Sequence, residues 1–256
     1  MGETGSAVRS NRCLDWPGCY NVRDLGGLHT ADGHLTRWGA VVRSEAPHLL
    51  TAEGWTAVQR HNIRTIVDLR NDDEIKPDLA PRPADLHVLR APLDASQAVE
   101  FWNRWATGGQ IATPLYYRPF LDCFPQRIAS ALGAIAHARP GGVLVHCAQG
   151  RDRTGLVTLV LLALLGVPAE DIAADYVLSA RRLAPLFARL GQQDPGPGTG
   201  TLLTSMGTSA REIIIDTVTS LQPAAYLRSA GLCEADLATL RARLLESGDM
   251  TQDTAE

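Results

Sequence analysis

Residues 142–167 read GVLVHCAQGRDRTGLVTLVLLALLGV. The opening piece, Gly142 to His146, is apolar throughout, as a strand buried on both faces at the centre of a parallel sheet must be. From Leu156 to Val167 the chain is again almost wholly apolar. That run fits a buried core helix and is too short to cross a bilayer, which takes about 20 residues. Between strand and helix the chain must turn sharply, and Gly150 permits the turn. A strand, a tight loop and a helix in that order point several backbone N–H groups inward at a helix N-terminus, which makes an anion site.

Cys147 sits at the start of this loop. A thiol is a useful nucleophile only as thiolate, and a helix N-terminus with nearby cations favours that form. Arg153, the sixth residue after the cysteine, can fold back and grip two phosphoryl oxygens in a bidentate fork. Phosphoryl transfer needs mainly positioning and charge stabilisation, which such a loop supplies without a metal. Ala148, Gln149, Gly150 and Arg151 would line the cradle, and Thr154 can give its hydroxyl to the sulfur. None of the other cysteines has an arginine six residues on: the positions hold Cys19, Leu25, Ala129 and Thr239. A structural cysteine beside a helix cap would leave two arginines and an aspartate in one short loop without a purpose.

Working outward, Ala40–Arg43, Thr65–Leu69 and Leu86–Arg90 read as strands, and Thr51 as the N-cap of a helix carrying Trp55, Val58 and Ile63. Asn21–Gly27 reads as a turn, and Ala31-Asp32-Gly33-His34 as a hairpin turn. A helix is expected over 116–138, with Pro119 in its first turn and a kink at Pro125. Another begins at Pro168 and runs through Tyr176. The Gly/Pro-rich stretch 191–208 reads as a mobile loop, followed by two C-terminal helices. Residues 96–114, with Phe101, Trp102 and Trp105, read equally as a helical lid over a site or as a helix docked on the core. Alternating strands and helices give an α/β fold, a central mostly parallel sheet flanked by helices on both faces, with extra C-terminal helices. Residues 13–247 are expected to form one domain between disordered tails at 1–12 and 248–256.

Composition narrows the function classes. The net charge is −4 and the charged fraction is 20%. Those values suit a soluble globular protein and argue against bulk nucleic-acid binding, so a polyanionic partner would have to meet a local basic pocket. No apolar segment suggests stable membrane insertion. The N-terminus fits the loose Met-Gly-x-x-x-Ser myristoylation pattern, but a flexible polar tail is the reading adopted. Five irregularly spaced cysteines argue against a disulfide framework and for a reducing, cytoplasmic setting. Basic residues are 23 arginines and a single lysine, Lys76, so an arginine at any one position says little about selection for guanidinium chemistry.

The segment His146-Cys147-Ala148-Gln149-Gly150-Arg151-Asp152-Arg153-Thr154-Gly155 resembles the signature loop of the protein tyrosine phosphatase superfamily, in its atypical bacterial and fungal branch. Asn21-Val22-Arg23-Asp24-Leu25-Gly26-Gly27, Arg43-Ser44, Val67-Asp68-Leu69-Arg70 with Glu74, and Asp175-Tyr176 with Ser179 resemble that branch as well. The resemblance runs from about residue 15 to 245 and implies the cysteine-phosphatase fold, hydrolysis through a cysteinyl-phosphate, and no cofactor. Its implied substrates are phosphotyrosine proteins, with phosphoserine/threonine or phosphoinositides in some members. Two residues depart from the branch. Arg151 stands where it has lysine, and Gln149 is larger and more polar than expected.

The general acid stays open between two carboxyl groups. Asp94 ends the Leu86–Arg90 strand on the carboxyl edge, where α/β sheets place their sites, and matches the aspartate of dual-specificity enzymes. Asp152 lies inside the anion-binding loop, where nearby negative charge would favour its protonated form. His146 is expected to fix the Cys147 backbone, Asp68 and Arg70 to form a support network, Arg23 and Asp24 to brace the loop from below, and Asp72-Asp73-Glu74 to be a solvated helix start. The alternatives to a protein phosphatase are a phosphatase of a small-molecule phosphate, sulfur or arsenate chemistry on a similar loop, and a phosphate-binding module without turnover.

Overall fold

The computed structural model describes residues 12–246. Five strands form one sheet: β1 (Arg23–Asp24), β2 (Val41–Ser44), β3 (Ile63–Asp68), β4 (His87–Arg90) and β5 (Gly142–His146), in the order β1-β2-β5-β3-β4. All neighbours are parallel except β1, which pairs antiparallel with β2 at one edge. The apolar strand β5 lies between β2 and β3, and all five of its residues are buried.

Side chains alternate across the sheet, so two cores form. Val42, Ile66 and Leu144 face α1 (Ala52–Arg60), where Trp55 and Val58 meet them together with Trp16. Val41, Val67, Val143 and Val145 face the other way, onto a larger core shared with α4 (Pro125–Ala136) and α5 (Asp152–Leu164). Each such fully buried Val or Leu contributes about 1.5–3 kcal/mol. Helix α5 follows β5 and is buried on nearly every side, which is why its sequence has no polar face. Thr51 caps α1 by accepting from the Gly54 N–H at 3.2 Å, as its sequence position predicts. Among the described residues, no helix is long and apolar enough to cross a membrane.

Several sequence expectations need correction. The single helix over 116–138 is two: α3 (Tyr117–Cys123) ends at Phe124, whose φ −132 and ψ 46 are not helical, and α4 restarts at Pro125. Pro125 has no N–H to donate and disfavours a helical residue before it, so it breaks the helix rather than kinking it. The 191–208 stretch is not a loop throughout. After α6 (Ala169–Leu190) stops at the left-handed Gly191, α7 (Gly196–Ser205) forms, started by Asp194 accepting from the Gly196 N–H and anchored by buried Leu203. Its glycines hid that start. Three helices finish the described chain instead of two: α8 (Ala210–Thr219), α9 (Pro223–Ser229) and α10 (Glu234–Leu244).

Asn21–Gly27 is not only a turn, because it holds strand β1, too short and too charged to show alternation. Arg12, placed in the tail, is buried and pairs with Asp175 at 2.9 Å. The rest of the tails, 1–11 and 248–256, the last residue of the expected domain, Ser247, and the myristoylation pattern lie outside the described residues.

Candidate active site

The loop 147–151 leaves the carboxyl end of β5 and enters α5. Three of its carbonyls are held from the body of the protein. The Ala46 N–H donates to Ala148 O at 3.0 Å, Asn21 Nδ2 to Gln149 O at 3.0 Å, and Arg43 Nη2 to Gly150 O at 2.8 Å. A planar trans peptide sets C=O and N–H on opposite sides, so these bonds turn the following N–H groups to the concave side of the loop. Gly150 is required: its φ is +65, and a Cβ there would lie 2.2 Å from Ser44 C and O. The concave face therefore gathers backbone donors and the positive end of α5 around Cys147, which is 2% exposed.

Arg153 projects from the first turn of α5. Its Nη1 and Nη2 each lie 2.5 Å from a Glu74 oxygen, and Nη1 is 3.1 Å from Asp94 Oδ2. Burial alone would lower the Arg153 pKa, but Glu74, Cys147 and Asp94 outweigh it, and the guanidinium stays protonated. Asp72–Glu74 does form a short helical turn, but Glu74 is not solvated: it is half-buried and pairs with Arg153. A cue was present, since Asn71 and Glu74 form a capping box that fixes Glu74. Asp72 does remain at the surface, paired with Arg90.

A cavity of about 360 Å³ opens beside Arg153. Asp94 and Asp152 both line it, with Trp102, Ile111 and Tyr116 as walls. Burial is the largest influence on Asp94 and raises its pKa, against the pull of Arg153. Asp152 is differently placed. Arg151 Nε donates to both its oxygens at 3.2 Å, and the Tyr176 hydroxyl donates to Oδ1 at 3.2 Å. Arg151 is turned to Asp152 and to Ala112 O, so its charge is drawn to the flank of the loop. The Thr154 hydroxyl is fully buried and has no hydrogen-bond partner among the described residues.

Residues 96–114 follow the docked-helix reading. Helix α2 (Val99–Ala106) docks on the core, with Phe101 edge-on to Phe124 and Trp102 against Tyr116. Trp102 and Ile111 from the same segment wall the cavity.

Beneath the loop lies a support network. His146 Nδ1 is 3.1 Å from Cys147 O. Burial lowers the His146 pKa to about 4, against the attraction of Asp68, so the ring is neutral and Nδ1–H donates to that carbonyl. Asp68 is gripped by Arg70 and by Arg90, at 2.6 Å to Arg90 Nη1. Burial opposes the ionised form of Asp68, yet Arg70 above all holds its pKa at about 2. On the other side Asp175 receives Arg43 Nη1 at 2.6 Å, Arg23 Nε at 2.9 Å and Arg12 Nη2 at 2.9 Å. Arg23 thus braces the loop through Asp175 and Arg43. Asp24 does not: it accepts from the Gly26 and Gly39 N–H groups and contacts His61, tying the N-terminal turn instead. Asp175 itself drew no role from residue chemistry, because its partners come from 132 to 163 positions away.

A larger cavity, about 440 Å³, lies at Gly39, Asn62 and Gly142 on the amino edge of the strands, away from all of these groups. Among the described residues, no cluster of three or more His, Cys, Asp or Glu gathers as metal donors.

Comparison with known proteins agrees with this geometry. The model of the tyrosine phosphatase family matches residues 14–246. A Cupriavidus necator protein bearing the name tyrosine-protein phosphatase is 30% identical over 250 residues, covering 94% of this chain and 91% of its own. The triple specificity protein phosphatase PtpB of Mycobacterium tuberculosis is 27% identical over a 277-residue alignment, covering 90% and 98%. A tyrosine-protein phosphatase of Nostoc commune is 26% identical over 224 residues, covering 82% and 75%.

Proposed function

The chain belongs to the tyrosine phosphatase family, and from that premise we propose that it is a metal-independent protein-tyrosine phosphatase acting through a cysteinyl-phosphate on Cys147. The observation that carries this reading is the loop itself. Its carbonyls are fastened outward around one buried cysteine, with Arg153 and two carboxyl groups at its open side.

The Cys147 thiolate attacks phosphorus in line while the loop amides of 148–153 and Arg153 hold the three other oxygens. The P–O bond to the leaving group breaks, and Asp94 gives that oxygen its proton. Asp94 suits the role because burial favours its protonated form and its ion pair among the described residues is with Arg153 alone, whereas Asp152 is already committed to Arg151 and Tyr176. In the second step Asp94 takes a proton from water, the water oxygen attacks phosphorus, and the sulfur leaves. The unpartnered Thr154 hydroxyl is available to stabilise that sulfur.

The main core joins Leu25 to Leu244 and supports one phosphatase domain over 13–247. The segment 96–114 lines the cleft through Trp102 and Ile111, which supports its role as a lid. Five free cysteines support a reducing compartment, the cytoplasm.

The test is hydrolysis of p-nitrophenyl phosphate in the presence of a chelator. Wild type should turn over and Cys147→Ser should not. Full activity in the variant, or none in wild type, refutes the mechanism.

A further inference from the structure

The 360 Å³ cleft is not the only cavity that adjoins the loop. A second, of about 140 Å³, begins at Ala148 and Gln149. The Arg153–Glu74 ion pair stands between the two, since Arg153 lines the first and Glu74 the second. The floor of the smaller cavity is apolar, built from Leu49 and from Leu186 and Phe187 on α6.

Its mouth carries Leu190, 43% exposed, and Lys76. Two more large apolar side chains flank that mouth. Ile75 precedes Lys76 and is 49% exposed, and Leu79, 60% exposed, donates its N–H to His48 O on the cavity wall. Arg70, the other cation here, is spent on Asp68, whereas among the described residues Lys76 has no ion-pair partner. An exposed apolar rim with an uncommitted cation, touching a catalytic loop, marks a contact surface.

We propose that this cavity is the subsite for an apolar side chain, Leu, Ile or Met, next to phosphotyrosine in the substrate polypeptide, with Lys76 meeting an acidic residue beside it. The inference rests on the phosphatase reading. Three features select this occupant. The cavity starts at two residues of the phosphate loop, so a residue next to the group held there is the nearest candidate to fill it. About 140 Å³ takes one side chain of the size of Leu, Ile or Met and leaves no room for a long acyl chain. Of the charged groups on the wall, Glu74 is held by Arg153, Glu45 by the Tyr20 and Asn21 N–H groups and Arg70 by Asp68, which leaves the Lys76 ammonium for a neighbouring carboxylate.

The experiment compares kcat/KM for three substrates: p-nitrophenyl phosphate, a phosphotyrosine peptide flanked by glycines, and peptides carrying Leu and Glu on one flank or the other. Vesicles containing a diacyl phosphoinositide form a fourth arm. Wild type should prefer one of the Leu/Glu peptides over the glycine peptide by about tenfold or more. Leu190→Glu and, independently, Lys76→Glu should remove most of that preference and leave p-nitrophenyl phosphate unchanged. A preference that is absent in wild type, or that survives both variants, overturns the proposal. So does a loss confined to the vesicle arm, which would assign the cavity to a lipid. Failure of wild type on p-nitrophenyl phosphate would instead remove the phosphatase reading, and the subsite with it.

Discussion

Replacing Asp175 with Asn tests how the loop is supported. Among the described residues, Asp175 is the only carboxylate paired with three arginines, Arg12, Arg23 and Arg43, whose side chains are at most 3% exposed. Burial opposes its ionisation, but the three cations win and hold its pKa far below the usual carboxylate range. Asn keeps the shape and removes the charge. Removing one partner of a buried ion pair costs about 3–5 kcal/mol, because the other charge is left uncompensated. Three arginines share this carboxylate, so we expect about 4 kcal/mol. At ~2–4 °C per kcal/mol for a chain of this size, the melting temperature should fall by roughly 8–16 °C at pH 7.

Linkage gives the pH window. The folded pKa is depressed below the unfolded value of about 3.9, so the stabilisation is complete above that pH and is lost as pH falls towards the folded value. Wild type and Asp175→Asn should therefore converge in acid. Thermal or urea unfolding between about pH 3 and pH 7 measures both effects. Arg43, which loses its anchor, also holds Gly150 O, so kcat/KM on aryl phosphates should drop well before the protein unfolds. A melting temperature within about 2 °C of wild type at pH 7 would refute the reasoning, since less than about 1 kcal/mol would then be at stake.

Asp94→Asn should lower kcat most for substrates with poor leaving groups, and should abolish the descending limb of the pH profile. Burial raises the Asp94 pKa, so that limb lies above the ordinary carboxylate range of about 3.9. Asp152→Asn should leave the limb in place, and the opposite pattern across a leaving-group series would transfer the role to Asp152. Gly150→Ala places a Cβ 2.2 Å from the Ser44 backbone in a left-handed conformation. It should cost about 3 kcal/mol and silence the enzyme, and an unchanged urea midpoint would show that the loop can yield. Glu74→Gln removes the charge that orients Arg153 and should lower kcat/KM about tenfold. A rise would show that Glu74 competes with the phosphoryl group for the guanidinium.

What the sequence determined by itself was local. The apolar strand 142–146, the tight loop and the apolar helix after it can be read because each depends on neighbours a few residues away. They place Cys147, Arg153 and Gly150 in one anion site before any long-range contact is known. Thr51 was readable as a cap for the same reason. The reading failed where a weak local signal met a distant partner. Glu74 is polar and follows two aspartates, so it looks solvated until Arg153, 79 positions on, takes it. Arg12 looks like tail until Asp175 buries it, and β1 has only two residues until β2 pairs with it. The choice between Asp94 and Asp152 was likewise undecidable from spacing. Which carboxyl is left to hold a proton depends on burial and on where Arg151, Tyr176 and Arg153 come to rest, and only the packing of α5, α6 and the sheet edge sets that.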